Sequence, residues 1–245
     1  MKELTVINDN FAYAGFTSGT HGIWTRNEAN DPPTEDYSDL SSRLGVPLSR
    51  IVRPYQANGC KVEIVGSEHG GAGVIADNDL KKVDGLITAE KGLVLSIIAA
   101  DCVPVYLTDT EAEVIGMLHC GRISAAGSLI SSAVQRMKEL GASPDRIRLT
   151  IGPHICPNCY EVGKEVRDEY AEAFTADLLS RIYTLRGNGL FLDLSQAIRA
   201  KAAAEGIPSE NISNTQVCTC HDSSYHSYRR GSSGRQNLAF IMMKR

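Results

Sequence analysis

Cys102 and His119 each follow a short apolar stretch, and a thiol beside an imidazole is a pair that can do chemistry. The run Leu93 to Ala100 leads into Asp101 and Cys102, and the run Val114 to Leu118 leads into His119. An imidazole can activate a thiolate as a nucleophile, and the same two groups are good ligands for zinc or copper. A third interpretation is that Cys102 is simply a buried small apolar residue, because free cysteine is among the most buried residue types.

Two other groups of polar residues offer chemistry of a different kind. Asp101 can accept a hydrogen bond that orients Cys102 or His119, or it can cap a turn. Arg229 and Arg230 follow Tyr228 after a serine-rich loop, and guanidinium groups suit phosphate or carboxylate. The competing interpretation of the arginine pair is a solvated basic turn.

The remaining thiols fall into two clusters that are far apart in the chain. One is Cys156-Pro157-Asn158-Cys159, and the other is Cys218-Thr219-Cys220-His221. Together they can form a structural zinc site or a redox dithiol. Their separation is unlike that of a zinc ribbon, and a C-x-C pair is a poor chelating arm. The spacing therefore favours two separate, solvated thiol pairs on loops.

The two apolar runs must be rigid elements if they are to position Cys102 and His119. Both are short, rich in Val, Ile and Leu, and joined through a polar turn over Thr108 to Glu113, which predicts two buried strands. Apolar residues recur at helical spacing from Ser124 to Leu140, and Gly141 follows, which predicts an amphipathic helix. Hairpins alternate with helical crossovers along the chain. We therefore expect an α/β (α+β) fold with a mixed, layered sheet and flanking helices, in a single domain over residues 1–245.

Composition limits the classes of partner. Of the 245 residues, 42% are hydrophobic and 22% are charged, and the formal net charge is −4. This balance is the opposite of the basic footprint of a nucleic-acid-binding protein. We find neither a signal-peptide pattern nor an apolar run long enough for a membrane span. The expectation is a cytoplasmic protein, a monomer or small homo-oligomer, whose seven cysteines are thiols or ligands rather than disulfides.

Several motifs occur in an order that resembles a known family. They are DGLIT from Asp84, LSIIAADCVPVYLTD from Leu95, GMLHCG from Gly116, IGPHICPNCYEVG from Ile151, and CTC from Cys218 with SYRR from Ser227. The set resembles the YfiH/YlmD family, also called the polyphenol oxidoreductase (laccase) family. The resemblance covers the chain from about Phe16 onward. It implies a layered α/β fold that has been compared with a cysteine-dependent hydrolase.

The resemblance also implies a metal site and an activity. Family members are regarded as purine nucleoside phosphorylases, some with adenosine deaminase activity. Their metal is taken as zinc, with copper the earlier assignment. Two of the family's three metal ligands correspond to Cys102 and His119. The implied substrates are a purine nucleoside and phosphate, and the residues implied to bind them are Gln56, Asn58, Arg122, Tyr228, Arg229 and Arg230.

The sequence departs from the family pattern at three places around this site. Asn58 stands where the family has its third metal ligand, a histidine, and asparagine is a weak zinc ligand. The family's arginine near the N-terminus is missing, although His21 lies nearby in the sequence. After His119 the chain continues with Cys120, Gly121 and Arg122, so Arg122 and Cys120 are the candidates for a replaced contact, and a changed pocket is the alternative. These departures leave three hypotheses: a metal-dependent phosphorylase, a metal-free Cys-His enzyme, and a non-catalytic paralogue.

Overall fold

A computed structural model describes residues 3–19, 22, 24, 34–77, 79–232 and 234–245. Its helices are α1 Glu35–Leu44, α2 Arg122–Ala126, α3 Leu129–Glu139, α4 Lys164–Ala171, α5 Ala176–Ile182 and α6 Leu194–Ala204. Its strands are β1 Glu3–Asn8, β2 Ala12–Thr17, β3 Ile51–Val52, β4 Val62–Ile64, β5 Gly85–Thr88, β6 Val94–Ala99, β7 Val103–Asp109, β8 Val114–Cys120, β9 Arg148–Ile151, β10 Glu161–Val162, β11 Tyr183–Arg186, β12 Gly189–Leu192, β13 Ile212–Asn214 and β14 Asn237–Met243.

The described strands form two large mixed sheets and one small antiparallel sheet. The five-stranded sheet has the order β1-β2-β14-β6-β3, and the six-stranded sheet has the order β13-β9-β7-β8-β5-β4. Each large sheet combines parallel and antiparallel pairs. The small sheet has the order β10-β12-β11. The predicted class, a mixed and layered α/β fold, is confirmed.

Three apolar clusters show how the layers pack. One lies between the two large sheets and includes Phe16, Leu95 and Met117. A second fills the space between the six-stranded sheet and helices that include α3 and α6. A third packs α1 against the opposite face of the five-stranded sheet. Both large sheets are therefore covered on both faces, which explains why β7 and β8 are buried along their full lengths.

The central apolar region differs from its prediction in one respect. The run Leu93 to Ala100 forms β6, but a further strand that was not predicted, β7, precedes the polar turn and takes in its first two residues. Strand β6 belongs to the five-stranded sheet, whereas β7 and β8 form a hairpin in the other. The chain changes sheets at Asp101, whose φ of 84° lies in the left-handed region that few non-glycine residues adopt. Cys102 therefore lies at a crossover between sheets.

The predicted helix over Ser124 to Leu140 is two helices. Helix α2 begins at Arg122, and Gly127 ends it before α3 begins at Leu129. The amphipathic pattern is confirmed in α3, since its buried residues are those that recur at helical spacing in the sequence. No described helix has both the length and the apolar character needed to cross a lipid bilayer.

Candidate active site

Strand register brings together three side chains that are distant in the sequence. In the six-stranded sheet β8 lies between β7 and β5. Val103 of β7 pairs with Cys120, so Cys102 lies beside Gly121. Gly85 of β5 pairs with Leu118, and the residue before it, Asp84, accepts a 2.7 Å backbone hydrogen bond from His119. Cys102, His119 and Asp84 thus meet at one edge of a buried sheet.

His119 is held between Asp84 and Cys102. Its Nδ1 lies 2.8 Å from Asp84 Oδ1, and the ring also hydrogen-bonds to the Cys102 thiol. The side chain is buried, with 6% of the residue exposed. Burial lowers the pKa of His119, but the electrostatic interaction with Cys102 and the hydrogen bonds to Asp84 and Cys102 together outweigh burial and raise the pKa to about 9. The geometry therefore favours an imidazolium at neutral pH.

Asp84 also folds the turn that carries Asn58. Its carboxylate accepts backbone hydrogen bonds from Ala57 at 3.0 Å, Asn58 at 3.0 Å and Gly59 at 2.8 Å. Burial raises the pKa of Asp84, but hydrogen bonds from His119 and from these amides lower it below its usual value. A charged Asp84 therefore supports both the imidazole and the turn. Sequence reasoning missed this residue, and the signal available was its place at the start of the DGLIT motif.

Asn58 projects toward Cys102. A Cβ placed on Gly121 would lie 3.1 Å from Asn58 Oδ1 and 3.2 Å from Cys102 Sγ, so both side chains pack against this glycine. Asn58 has a φ of 58°, a conformation in which asparagine, aspartate and histidine are enriched. The nearby Gln56 uses both ends of its amide on the backbone of Ile98, at 2.8 Å each. Gln56 therefore fastens the turn to β6.

Two cavities meet at these residues. A cavity of about 420 Å³ is lined by Asn58, Ala100, Asp101, Cys102, Arg122, Ile155, Tyr160, Leu194, Tyr228 and Arg229. An adjoining cavity of about 360 Å³ shares Asn58, Ala100, Cys102 and Tyr228, and adds His119 and Gln56 among others. Cys102 therefore faces both spaces. A third depression of about 530 Å³ shares Tyr55 and Gln56 with the second cavity, and its other lining residues, which include Lys81 and Lys82, contain no cysteine or histidine.

Asp101 and the arginines build the outer wall of the larger of these two adjoining cavities. Asp101 accepts hydrogen bonds from Thr219 Oγ1 at 2.6 Å, from Ser227 Oγ at 3.0 Å and from the backbone N–H of Arg229 at 2.7 Å. Its carboxylate thus holds the loop that carries Arg229. Asp101 was one candidate for orienting His119, but the carboxylate that hydrogen-bonds to His119 is that of Asp84.

The three candidate arginines differ in their surroundings. Arg229 donates to the carbonyls of Cys159 and Glu161 at 3.0 Å each, and its guanidinium lies 5.2 Å from the centre of the Tyr160 ring. Arg122 lines the larger of the two adjoining cavities and pairs with Glu169. Arg230 lines neither cavity, because its guanidinium donates to loop carbonyls that include Thr219 and Cys220, at 2.6 and 2.7 Å.

The donor set in the pocket does not match a three-ligand catalytic zinc centre. Cys102 and His119 are soft donors, and the Nδ1 contact to Asp84 leaves Nε2 on the side of Cys102, as in zinc sites where Nε2 is the ligand atom. The third neighbour is the neutral amide oxygen of Asn58. In the described part of the chain no third cysteine, histidine or carboxylate ligand joins the pair. His21, considered above as a substitute, lies outside the described residues.

A set of metal-ligand type occurs instead in the thiol clusters. The ligand atoms of Cys156, Cys159, Cys218 and His221 all lie within 4.8 Å of one another. The prediction of two separate thiol pairs is therefore wrong. The reason is tertiary: a parallel bridge between His154 and Cys218 brings the two loops side by side. These four residues can hold a metal ion.

Comparison with known proteins places this geometry in a family. Residues 16–244 match the model of a family described as multi-copper polyphenol oxidoreductase laccase. A purine nucleoside phosphorylase of Streptomyces coelicolor is 36% identical over 188 residues, which cover 76% of this chain and 72% of that protein. An adenosine deaminase from an unknown prokaryotic organism is 34% identical over 194 residues, covering 78% and 74%.

A solved structure extends the similarity to the fold. YlmD from Geobacillus stearothermophilus has a TM-score of 0.85 at 26% identity, covering 99% of this chain and 100% of that one. The motifs, the layered sheets and the family match agree along almost the whole chain. This chain belongs to the multi-copper polyphenol oxidoreductase laccase family, the family that includes YfiH and YlmD.

Proposed function

We propose that this chain is an enzyme that cleaves purine nucleosides with phosphate. The observation that carries the proposal is the Cys102–His119–Asp84 array, which opens onto paired cavities in a chain whose relatives include a named purine nucleoside phosphorylase. Small-molecule sites are commonly clefts of about 300–1,000 Å³ with a few convergent polar groups, and the larger of the two adjoining cavities is within that range at about 420 Å³.

His119 is the proposed proton donor. Its raised pKa of about 9 keeps the ring protonated at neutral pH, and Asp84 fixes its orientation. A proton delivered to the departing purine stabilises the negative charge that develops on the base. Cys102 supports this role because its interaction with the ring helps to raise the pKa of His119.

Arg122 and Arg229 are the proposed phosphate contacts, because both line the cavity that Cys102 faces. A phosphate oxygen forms the bond to the ribose C1′ while the bond from C1′ to the purine nitrogen breaks. His119 gives its proton to the purine and regains one from the attacking phosphate. The products are the free purine and ribose 1-phosphate.

Tyr228 and Asp101 have supporting roles in the proposal. Tyr228 is 82% exposed and lines both cavities, so its ring offers a face on which a purine can stack. Asp101 is a positioning residue, because it accepts the backbone N–H of Arg229. Arg230 is assigned to the loop structure, since it lines neither cavity and its guanidinium donates to loop carbonyls.

The proposed chemistry uses no metal in the pocket. For this chain we propose zinc rather than copper, and we assign it to the thiol clusters rather than to Cys102 and His119. Three thiols and an imidazole are a donor set that zinc commonly takes in structural sites.

The test is release of free base from adenosine, inosine and guanosine with and without phosphate. We expect phosphate-dependent release by the wild type and much slower release by Cys102→Ala, because His119 loses one of the two partners that raise its pKa. Cys60→Ala is the matched control, because Cys60 is another half-buried thiol and lines neither of the two adjoining cavities. Absence of base release from all three nucleosides by the wild type would refute the proposal, and if adenosine also released no ammonia the result would support a non-catalytic paralogue.

Adenosine deamination is a second candidate, favoured by the 34% identity to a named adenosine deaminase. In that reaction water adds to the purine ring and ammonia leaves, so the glycosidic bond survives. Adenosine would then give inosine and ammonia whether or not phosphate is present. Chromatography of the products separates the two activities, since only phosphorolysis yields adenine.

A further inference from the structure

We infer that Cys156, Cys159, Cys218 and His221 form a closed, tetrahedral zinc centre that fastens together the two loops behind the outer wall of the larger adjoining cavity. This centre has a structural role and does not depend on the proposed reaction, because its residues lie apart from Cys102 and His119.

The distances suit a tetrahedral ion. Cys156 Sγ lies 3.5 Å from His221 Nδ1, and Cys159 Sγ lies 3.3 Å from His221 Nε2. With zinc–sulfur bonds of about 2.3 Å and zinc–nitrogen bonds of about 2.0 Å, tetrahedral ligand atoms are about 3.5–3.8 Å apart. The four ligand atoms, all within 4.8 Å of one another, therefore need only a small contraction. One imidazole nitrogen of His221 binds the ion, and the rotation of the ring determines whether that nitrogen is Nδ1 or Nε2.

The backbone already favours a charged sulfur at the centre of the cluster. The N–H groups of Cys156 and His221 point at Cys218 Sγ, at 3.3 and 3.4 Å. Amide donors to a thiolate stabilise its charge and orient it, which is the role of the groups that surround metal ligands. All seven cysteines are free thiols, so the cluster is not closed by a disulfide.

Backbone hydrogen bonds pair the two loops directly. His154 N–H donates to Val217 at 3.1 Å, and Thr219 N–H donates back to His154 at 3.1 Å. This pairing brings a C-x-x-C arm and a C-x-C-H arm together although about sixty residues separate them. Four protein ligands leave no open position for water or substrate, which is the arrangement of a structural rather than a catalytic zinc.

The centre has a direct mechanical link to the cavity wall. Arg229 donates to the carbonyl of Cys159 at 3.0 Å, and Arg230 donates to the carbonyl of Cys220 at 2.7 Å. Thr219, within the second arm, donates to Asp101 at 2.6 Å. Loss of the ion would therefore loosen the loop that presents Arg229 without removing any residue of the Cys102–His119 pair.

The test is metal content of untagged protein purified under reducing conditions with zinc supplied. We expect one zinc per chain in the wild type and in Cys102→Ala, and loss of zinc in Cys156→Ser and Cys218→Ser. Cys60→Ser is the matched control and should keep its zinc. Zinc-free wild type, zinc retained by Cys218→Ser, or zinc lost in Cys102→Ala would each overturn the inference.

Two further measurements identify the metal ligands even if a serine variant fails to fold. Cobalt(II) added to metal-stripped wild type should give the intense visible bands of tetrahedral thiolate coordination, and octahedral bands would overturn the inference. Cys220 lies within hydrogen-bonding reach of the Cys159 thiol, so it is the competing fourth ligand. We expect zinc loss in His221→Ala and retention in Cys220→Ser; the reverse pattern would overturn the ligand set.

Discussion

The surroundings of His119 in the pocket shift its pKa well away from that of a free imidazole. Its pKa is raised to about 9 from the ordinary 6.5, despite burial, by Cys102 and Asp84. A raised folded-state pKa contributes stability that is complete below 6.5 and is lost as the pH rises through about 9. If the imidazolium is the proton donor, activity should decline over the upper part of the same interval.

Asp84→Asn tests this arrangement. The amide keeps the shape of the carboxylate but removes its charge, so the pKa of His119 should fall and the alkaline limb of the pH–rate profile should move to lower pH. We expect kcat to drop by about 10- to 100-fold, as is typical when the partner of a functional histidine is lost. Steady-state kinetics across pH is the measurement.

Asp168→Asn is the control for Asp84→Asn, because Asp168 is an exposed carboxylate on α4. An unshifted alkaline limb in Asp84→Asn would show that the carboxylate does not set the ionisation of His119.

Asn58 is a position at which one substitution should create a second metal site. Asn58 Oδ1 and Cys102 Sγ already pack on Gly121, and the positive φ at this position is one that histidine also tolerates. Asn58→His supplies the third soft ligand that the pocket lacks in its described part. We expect zinc to rise from one to two per chain, measured by elemental analysis. Asn58→Gln should leave it unchanged, and an unchanged value in Asn58→His would contradict our account of the pocket.

Gly121, which directly follows β8, leaves room for the pocket side chains. A methyl group at Gly121 would lie 3.1 Å from Asn58 Oδ1 and 3.2 Å from Cys102 Sγ, closer than ordinary contact, while its backbone φ of −85° suits any residue. Gly121→Ala should therefore lower activity with little change in thermal stability. Gly59→Ala is the control, because its new methyl would meet only Asp84, at 3.6 Å. Equal activities of the two variants would contradict this assignment.

The turn after β7 depends on Asp109, a fully buried carboxylate. It accepts backbone hydrogen bonds from Glu111 and Ser143 at 3.0 Å each and pairs with Arg146 at 3.2 Å. Burial raises the pKa of Asp109, but these hydrogen bonds outweigh burial and lower it. A depressed pKa contributes stability that is present above 3.8 and is lost as the pH falls through the folded-state value.

Asp109→Asn should lower the free energy of unfolding by about 1–3 kcal/mol at neutral pH, because it leaves buried donors poorly matched. The difference from the wild type should shrink on acidification, since the wild type loses the same interactions. Denaturant unfolding at several pH values measures both effects. A difference that stays constant with pH would show that the charge of Asp109 is unimportant.

The sequence predicts single strands and helices better than the way in which the strands assemble into sheets. Strand β6, which precedes Cys102, and strand β8, which carries His119, are visible as apolar runs, and α3 is visible from its periodicity. The change of sheets at Asp101 is not, because it depends on one residue in a left-handed conformation within a continuous apolar stretch. Asp84 was missed because its partnership with His119 arises from the pairing of β5 with β8.

The contact between the two thiol clusters is likewise not predictable from local sequence. Spacing rules for zinc describe ligands on neighbouring turns, so they argued against a site whose arms lie about sixty residues apart. The arms meet because the strand that precedes each, β9 and β13, lies beside the other in parallel pairing, and the His154–Cys218 bridge follows. Sheet topology thus assembles both sites of the molecule, the pocket and the thiol cluster.

The most direct test of the central claim, that the Cys102–His119 pocket performs phosphorolysis, is phosphorus NMR of the enzyme with inosine and inorganic phosphate. We expect a new phosphate-ester resonance of ribose 1-phosphate that grows in step with free hypoxanthine, and neither product with His119→Ala, which lacks the proposed proton donor. Free hypoxanthine without the ester would mean hydrolysis by water. An ester that forms at the wild-type rate in His119→Ala would place the chemistry outside this pocket and refute the proposal.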